Sequence, residues 1–208
     1  ATSNITNNAG NVITGTKANQ TVMAQESDST FTVKLENKGT INLSGTNSIA
    51  MYTNKGTIAN SGKISVGDNS VAVYGVNNSD ITTASGTISL GNNSTGIYYS
   101  DVYTDSNGNK QIASTVKSLI NAGTIDSAGN KSSAMIYEPG NISASVTFEN
   151  TGTINLTGDS NTAMFAKMAK SRNYTTTNTG TITLGNSASL QNPNVGMYTD
   201  ADKTGTNP

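Results

Sequence analysis

The sequence offers few side chains for covalent or acid-base chemistry. It contains no histidine and no cysteine, its only arginine is Arg172, and its 13 acidic residues are scattered, mostly in predicted turns. Serine-histidine catalysis needs an imidazole base, and polysaccharide hydrolysis or elimination needs paired carboxylates or a well-placed basic side chain. The chain is therefore predicted not to be an enzyme, and a polysaccharide-acting enzyme is kept as an alternative.

Side chains suited to recognition are concentrated between Tyr99 and Thr115. Tyrosine buries a large area for few frozen torsions and often anchors interfaces, while charged groups orient a partner. We expect this segment to bind a partner through five residues: Tyr99, Asp101, Tyr103, Asp105 and Lys110. The alternative is a passive surface loop or a turn-rich hairpin.

A second group of candidates lies between Ala166 and Thr177 and holds the densest positive charge of the chain. Its members could engage an acidic partner, or they could form a solvated loop. They are Lys167, Lys170, Arg172 and Tyr174.

One aromatic residue recurs near the end of each of six repeats. These residues are Tyr52, Tyr74, Tyr98, Tyr137, Phe165 and Tyr198. They could stack as a structural ladder, or they could face outward and bind sugar rings or a protein surface. The second interpretation requires the alternating aliphatic residues of the same strands to face inward. These are Ile49 with Met51, Val71 with Val73, Thr95 with Ile97, Thr162 with Met164, and Val195 with Met197.

Metals, cofactors and nucleic acids are not expected as ligands. The segment from Asp105 to Asn109 partly resembles a calcium loop, but it lacks the spaced acids and the closing glutamate of that motif. The absence of cysteine excludes disulfides and zinc-thiolate sites. The 12 basic residues nearly balance the 13 acidic residues and form no run, so no nucleic-acid surface is predicted.

Internal repeats determine the predicted architecture. The segment VKLENKGTINLSG, 33–45, recurs as VTFENTGTINLTG, 146–158, and the marker glycines are separated by 23, 24, 37, 29 and 28 residues. The glycines are Gly39, Gly62, Gly86, Gly123, Gly152 and Gly180. Such a period is typical of a solenoid whose repeats are single turns with loops of variable length.

Between the turns, apolar and polar residues alternate with the period of a β-strand. One isoleucine per repeat is expected to form an inward column: Ile41, Ile64, Ile88, Ile125, Ile154 and Ile182. Each strand has too small an apolar face to be stable alone, so the repeats must stack. Stacking also explains why the chain is only 33% hydrophobic although its net charge is −1, and asparagine suits the corners because it tolerates left-handed backbone angles and can form side-chain ladders.

The fold predicted is all-β, a right-handed parallel β-helix with loop excursions near 99–115 and 166–177. Residues 1–32 are expected to form a degraded turn or cap, 33–198 the repeats, and 199–208 a truncated end.

The repeat Asn-x-Gly-Thr-Ile-x-Leu, followed by Gly-x-Asn-Ser-x-(Ala/Gly) and an aromatic, resembles the passenger domains of large fusobacterial autotransporter adhesins. The resemblance covers roughly 33–198. It implies an extracellular, surface-exposed segment that attaches to host cells or partner bacteria through a protein or glycan receptor. It also implies that the full-length protein is anchored by an outer-membrane barrel outside this chain. The segment itself is expected to be monomeric, because repeat steps of 23 to 29 residues are longer than the coils of a trimeric adhesin head.

Three alternatives to an adhesin segment of this kind are kept open. A trimeric adhesin head has a similar Gly-x-Asn-Ser-x-Ala motif but shorter coils. An ice-binding solenoid would show flat ranks of threonine, which the long excursions here would interrupt. A structural spacer stalk of a longer autotransporter would need no receptor site at all.

Overall fold

The computed structural model describes residues 2–26, 32–113, 118–140, 146–167, 175–188 and 190–200. These residues form 23 strands and no helix. Twenty-one strands lie in three parallel sheets of seven strands each. Each turn of the chain contributes one strand to every sheet, so the molecule is a right-handed parallel β-helix of seven coils, and the predicted fold class is confirmed.

The bounds of the strands follow the repeat. Sheet A contains β1 (Thr2–Asn7), β4 (Thr32–Asn37), β7 (Thr57–Asn60), β10 (Asp80–Thr83), β15 (Ser118–Asn121), β18 (Thr147–Asn150) and β21 (Thr175–Asn178). Sheet B contains β2 (Val12–Gly15), β5 (Thr40–Leu43), β8 (Lys63–Val66), β11 (Thr87–Leu90), β16 (Thr124–Ser127), β19 (Thr153–Leu156) and β22 (Thr181–Leu184). Sheet C contains β3 (Thr21–Glu26), β6 (Ile49–Asn54), β9 (Val71–Val76), β12 (Thr95–Ser100), β17 (Ser133–Glu138), β20 (Thr162–Lys167) and β23 (Val195–Asp200).

The predicted isoleucine column forms the centre of sheet B. Each isoleucine pairs in register with that of the next coil, and those of the five inner coils are at most 1% exposed. Ile182, in the last coil, is partly buried against the same core. The prediction of this inward face is confirmed.

Sheet C departs from simple alternation. In β6 the adjacent residues Ala50 and Met51 are both buried while Ile49 is only half-buried, and β9, β12, β17 and β20 repeat this pattern. The parallel ladder pairs residues 49, 51 and 52 with the next coil but skips Ala50. This local break turns two successive side chains inward.

The prediction that the first members of the sheet C pairs belong to the core is therefore wrong. Ile49, Val71, Thr95 and Thr162 are half-buried, and the small residues that follow them are buried instead. Only a small side chain fits there, because a Cβ at Gly96 would lie 2.6 Å from the carbonyl oxygen of Ala134 and 3.1 Å from Cγ2 of Ile125. In the last pair, Val195 is half-buried and Met197 is 45% exposed, so the predicted inward placement of this pair is also wrong.

The corner between sheets A and B contains a ladder of buried asparagines. Nδ2 of Asn37 donates to Oδ1 of Asn60 at 2.8 Å, and Nδ2 of Asn121 donates to Oδ1 of Asn150 at 2.7 Å. The marker glycines stack beside this ladder, and a Cβ at Gly62 would lie 2.1 Å from the carbonyl oxygen of the preceding marker glycine. Close approach of the coils, and not an unusual φ angle, therefore requires glycine at these positions.

A second ladder follows the corner between sheets B and C. The backbone amide of Ser48 donates to the hydroxyl of Ser70 at 3.0 Å, and that of Ser70 donates to the hydroxyl of Ser94 at 3.1 Å. In the preceding residue of each turn the backbone is left-handed, with φ of 54° at Asn47 and 55° at Asn69. The Gly-x-Asn-Ser motif is thus a stacked corner, as the preference of asparagine for left-handed angles predicts.

Candidate functional site

The excursion predicted at 99–115 contains a β-hairpin. Its strands β13 (Val102–Thr104) and β14 (Lys110–Ile112) pair antiparallel, while Tyr99 and Ser100 still belong to β12. The alternative of a turn-rich hairpin describes this segment correctly, and residues 114–117 lie outside the described part of the chain.

Asp105 holds the tip of the hairpin in place. Its Oδ1 accepts backbone hydrogen bonds of 2.9 Å from both Asn107 and Asn109, and its Oδ2 accepts a bond of 2.9 Å from Nε2 of Gln111. The bond from the Asn109 backbone, followed by that from Gln111, holds the pKa of Asp105 below its usual range. The carboxylate of Asp105, which the sequence predicts to orient a partner, instead accepts hydrogen bonds within the hairpin.

Asp101 fixes the base of the hairpin to the solenoid. It is fully buried, and its Oδ2 accepts hydrogen bonds from the hydroxyl of Tyr137 at 2.9 Å and from the backbone amide of Gly140 at 2.8 Å. A Cβ at Gly140 would lie 2.4 Å from Cγ2 of Ile112, so a larger residue would displace the hairpin. The prediction of Asp101 as a partner-binding residue is wrong because its carboxyl has no access to solvent.

Tyr99 is likewise not available to a partner. It is 2% exposed, and its ring stacks on Tyr137 with centroids 5.9 Å apart; Tyr137 in turn contacts Phe148 at 5.9 Å. Successive side chains of a strand point to opposite faces, so when Tyr98 faces outward Tyr99 must face inward. The three rings lie in the core of three successive coils, and the prediction of Tyr99 as an exposed anchor is wrong.

Three outward tyrosines of sheet C form a ladder, but the column predicted from the sequence is not continuous. Tyr52, Tyr74 and Tyr98 are half-buried and pack edge to face, with centroids 5.5 Å and 5.0 Å apart. The residue that pairs with Tyr98 in the next coil is Ile136, since Tyr137 pairs with Tyr99. The placement of Tyr137 in the outward column is therefore wrong.

The hairpin and the tyrosine ladder together enclose a groove of about 350 Å³. We call this the tyrosine groove. One side is formed by sheet C and the other by the hairpin. Its lining residues are Tyr52, Tyr74, Val76, Val102, Tyr103, Thr104, Gly108 and Lys110. The structure thus brings four candidates together, Tyr103 and Lys110 from the excursion and Tyr52 and Tyr74 from the aromatic column.

The tyrosine hydroxyls at the two ends of the ladder each form a hydrogen bond with a glutamate. Tyr98 donates to Oε2 of Glu138, and Oε1 of Glu138 accepts a bond of 3.2 Å from Nζ of Lys167. Burial raises the pKa of Tyr98, and its hydrogen bond to Glu138 raises it further. Burial acts to raise the pKa of Glu138 as well, but the hydrogen bonds from Tyr98 and Lys167, together with the positive charges of Lys167 and Lys110, outweigh it and hold that pKa below its usual range.

At the other end of the ladder, burial raises the pKa of Tyr52, and a hydrogen bond to Glu26 adds to the effect. Oε2 of Glu26 also accepts a bond of 3.0 Å from Nδ2 of Asn54. Both carboxylates beside the ladder are therefore already partnered.

Lys110 supplies the charge of the groove. It is exposed, it is the only charged residue among those that line the groove, and within the described residues its ammonium has no acidic group within 4.0 Å. The groove accordingly combines three partly buried aromatic rings, aliphatic and hydroxyl groups, and one positive charge.

The remaining candidates are not part of this groove. Lys167 lies outside it and forms the ion pair with Glu138, whereas Lys170, Arg172 and Tyr174 lie outside the described residues. Sequence reasoning missed Glu138, Val76 and Val102. The repeat could have pointed to Glu138. It is the last residue of β17, Lys167 is the last residue of β20, and these two strands are neighbours in sheet C.

In comparisons with known proteins, no family model, no curated protein and no solved structure matches this chain. Within the described ranges, no helix is long and apolar enough to cross a membrane. No group of three or more acidic side chains in the part of the chain that the structure describes could hold a metal ion.

Proposed function

We propose that this chain is an extracellular, surface-exposed segment of an adhesin that binds a receptor in the tyrosine groove. The single observation that carries the proposal is the convergence of Tyr52, Tyr74, Tyr103 and Lys110 on one groove, from two parts of the chain. Aromatic side chains and polar groups that converge on one concavity are typical of ligand sites.

The shape of the fold supports a binding role. The solenoid repeats one coil seven times, and the hairpin is an addition that stacking of coils does not need. Rigid repeats that carry one ordered excursion present binding residues without disturbing the core. The resemblance of the repeat to autotransporter passenger domains supports the same role, with attachment to host cells or partner bacteria.

Removal of the hairpin tests the proposal. Residues 102–112 are replaced by a short glycine-serine turn, and the variant is compared with the parent for binding to epithelial cells and to partner bacteria. The fold should persist because the three sheets do not include the hairpin. Binding should weaken tenfold or more, on the order of the 1.4 kcal/mol that one good anchor residue exceeds.

A double variant in the same sheet is the control. Phe165→Leu with Tyr198→Leu removes a stacked pair of rings, 5.5 Å apart, that does not line the groove. This control should bind as the parent does. If the hairpin variant folds and also binds as the parent does, the groove is not the receptor site and a spacer role is favoured.

A further inference from the structure

We infer that the occupant of the tyrosine groove is an acidic sugar, a pyranose ring that carries a carboxylate or a sulfate at the end of a receptor glycan. This inference rests on the proposed function and names the class of ligand for the same site.

The size of the groove favours a compact ligand. Its volume of about 350 Å³ lies near the lower end of the range for small-molecule sites, about 300 to 1,000 Å³. A stable protein interface covers about 800 Å² on each partner and is usually shallow. The groove therefore suits one or two sugar rings better than the face of a folded protein.

The lining matches the two-sided character of a sugar ring. Tyr52 and Tyr74 stand at 67° to each other, so they cannot both present their faces in the same direction. Val76 and Val102 add apolar groups to the lining of the groove, whereas Thr104 and Tyr103 contribute hydroxyl groups. A pyranose combines an apolar C–H face with a rim of hydroxyls, so it can contact both kinds of surface at once.

The charge of the groove selects an anion. Glu26 and Glu138, the carboxylates beside the tyrosine ladder, are occupied by hydrogen bonds, and Glu138 is also paired with Lys167 at 3.2 Å. Lys110 is the only charged residue that lines the groove. The charge of Glu138 reaches it at longer range, but no described carboxylate lies within 4.0 Å of its ammonium. A compact ammonium of this kind pairs with a carboxylate or a sulfate as a point charge.

Matched sugars test the inference on the whole chain. Binding by calorimetry is measured for 3′-sialyllactose, a glucuronate disaccharide and a 6-sulfated lactose, with unmodified lactose as the neutral counterpart. At least one acidic sugar should bind tenfold or more tighter than lactose. The three acidic sugars distinguish a sialic acid, a uronic acid and a sulfated sugar as the source of the charge.

Substitutions of Lys110 make the test specific to the groove. Lys110→Gln should weaken binding of the acidic sugar tenfold or more. Lys110→Arg keeps the charge and should retain binding within about threefold. Lys110 is exposed at the surface, so both variants should fold as the parent does.

The outcomes separate this inference from the proposed function. Equal binding of lactose and the acidic sugars, or binding that is unchanged in Lys110→Gln, overturns the inference. If no sugar binds while removal of the hairpin still abolishes cell binding, the acidic-sugar inference fails and the receptor role of the groove stands. If neither sugars nor removal of the hairpin has an effect, both fail.

Discussion

The hydroxyl of Tyr137 donates a hydrogen bond of 2.9 Å to Oδ2 of Asp101, 36 positions earlier in the chain, and both side chains are fully buried. The same oxygen accepts the amide of Gly140 at 2.8 Å. One carboxyl oxygen thus joins the base of the hairpin to the following coil. The position of the hairpin, and with it one wall of the tyrosine groove, depends on this contact.

Asp101→Ala should release the hairpin. The substitution leaves the buried donors of Tyr137 and Gly140 without their acceptor, at a cost of about 1 to 3 kcal/mol for each unsatisfied group. Hydrogen exchange should become faster at the amides of the hairpin, including Ala113, which bonds to the carbonyl of Asp101 at 2.8 Å. Asp105→Ala is the control, and should speed exchange at the tip alone. Unchanged exchange across the hairpin in Asp101→Ala would contradict this role.

Thr83→Asn should stabilise the solenoid by completing the asparagine ladder. Thr83 pairs in register between Asn60 and Asn121, and it donates to Oδ1 of Asn121 at 2.5 Å. Nδ2 of Asn60 is buried without an acceptor. A new amide oxygen at position 83 would satisfy this donor, which is expected to add about 1 kcal/mol to the free energy of unfolding in urea.

Asn121→Ala is the opposite change in the same ladder. It leaves Thr83 without its acceptor and removes the donor to Asn150, and we expect it to lower the free energy of unfolding. If Thr83→Asn destabilised the chain as much as Asn121→Ala does, the ladder would not contribute to stability in this way.

The isoleucine column should be sensitive to both size and charge. Ile88→Ala and Ile154→Ala each remove most of a fully buried side chain, which should cost about 2 to 5 kcal/mol. Ile88→Asp and Ile154→Asp should be worse, since a buried unpaired charge is added. Thermal unfolding and protease resistance measure both effects. Aspartate variants as resistant as the parent would contradict the inward placement of the column.

The stability of the chain should fall at alkaline pH. Burial raises the pKa of Tyr52, Tyr74 and Tyr98 above the ordinary value of 10.0. Above about pH 10 the unfolded chain loses these phenolic protons while the folded chain keeps them, so the free energy of unfolding decreases as the pH rises. Melting temperatures from pH 8 to 12 should show this fall, and it should be shallower in the double variant Tyr74→Phe with Tyr98→Phe. An equal slope in both proteins would contradict it.

Much of the fold could be predicted from the sequence because each coil repeats the same local signals. The Asn-x-Gly turn, the Ile-x-Leu alternation and the Gly-x-Asn-Ser corner each fix a position in the stack. The break at Ala50 could not be predicted in this way, since it places two successive side chains inside where strict alternation allows only one.

The candidate site could be predicted only in part. Tyr103 and Lys110 were found because the excursion interrupts the repeat, and Tyr52 and Tyr74 because they recur. β12 continues past Tyr98 to Ser100. Alternation along the whole of this strand predicts that Tyr99 faces inward. How the hairpin folds over the ladder depends on contacts of Asp101 with residues in the next coil, and no local sequence pattern reports such contacts.

The most direct test of the receptor site compares two single tyrosine substitutions. Tyr103→Ala removes a ring that lines the groove from the hairpin, and Tyr198→Ala removes an exposed ring of sheet C away from the groove. The measurement is the affinity of each purified variant for receptor-bearing cells, with circular dichroism to show that both fold. We predict a loss of tenfold or more for Tyr103→Ala and a change of less than about twofold for Tyr198→Ala. Equal affinities of the two folded variants would contradict the account.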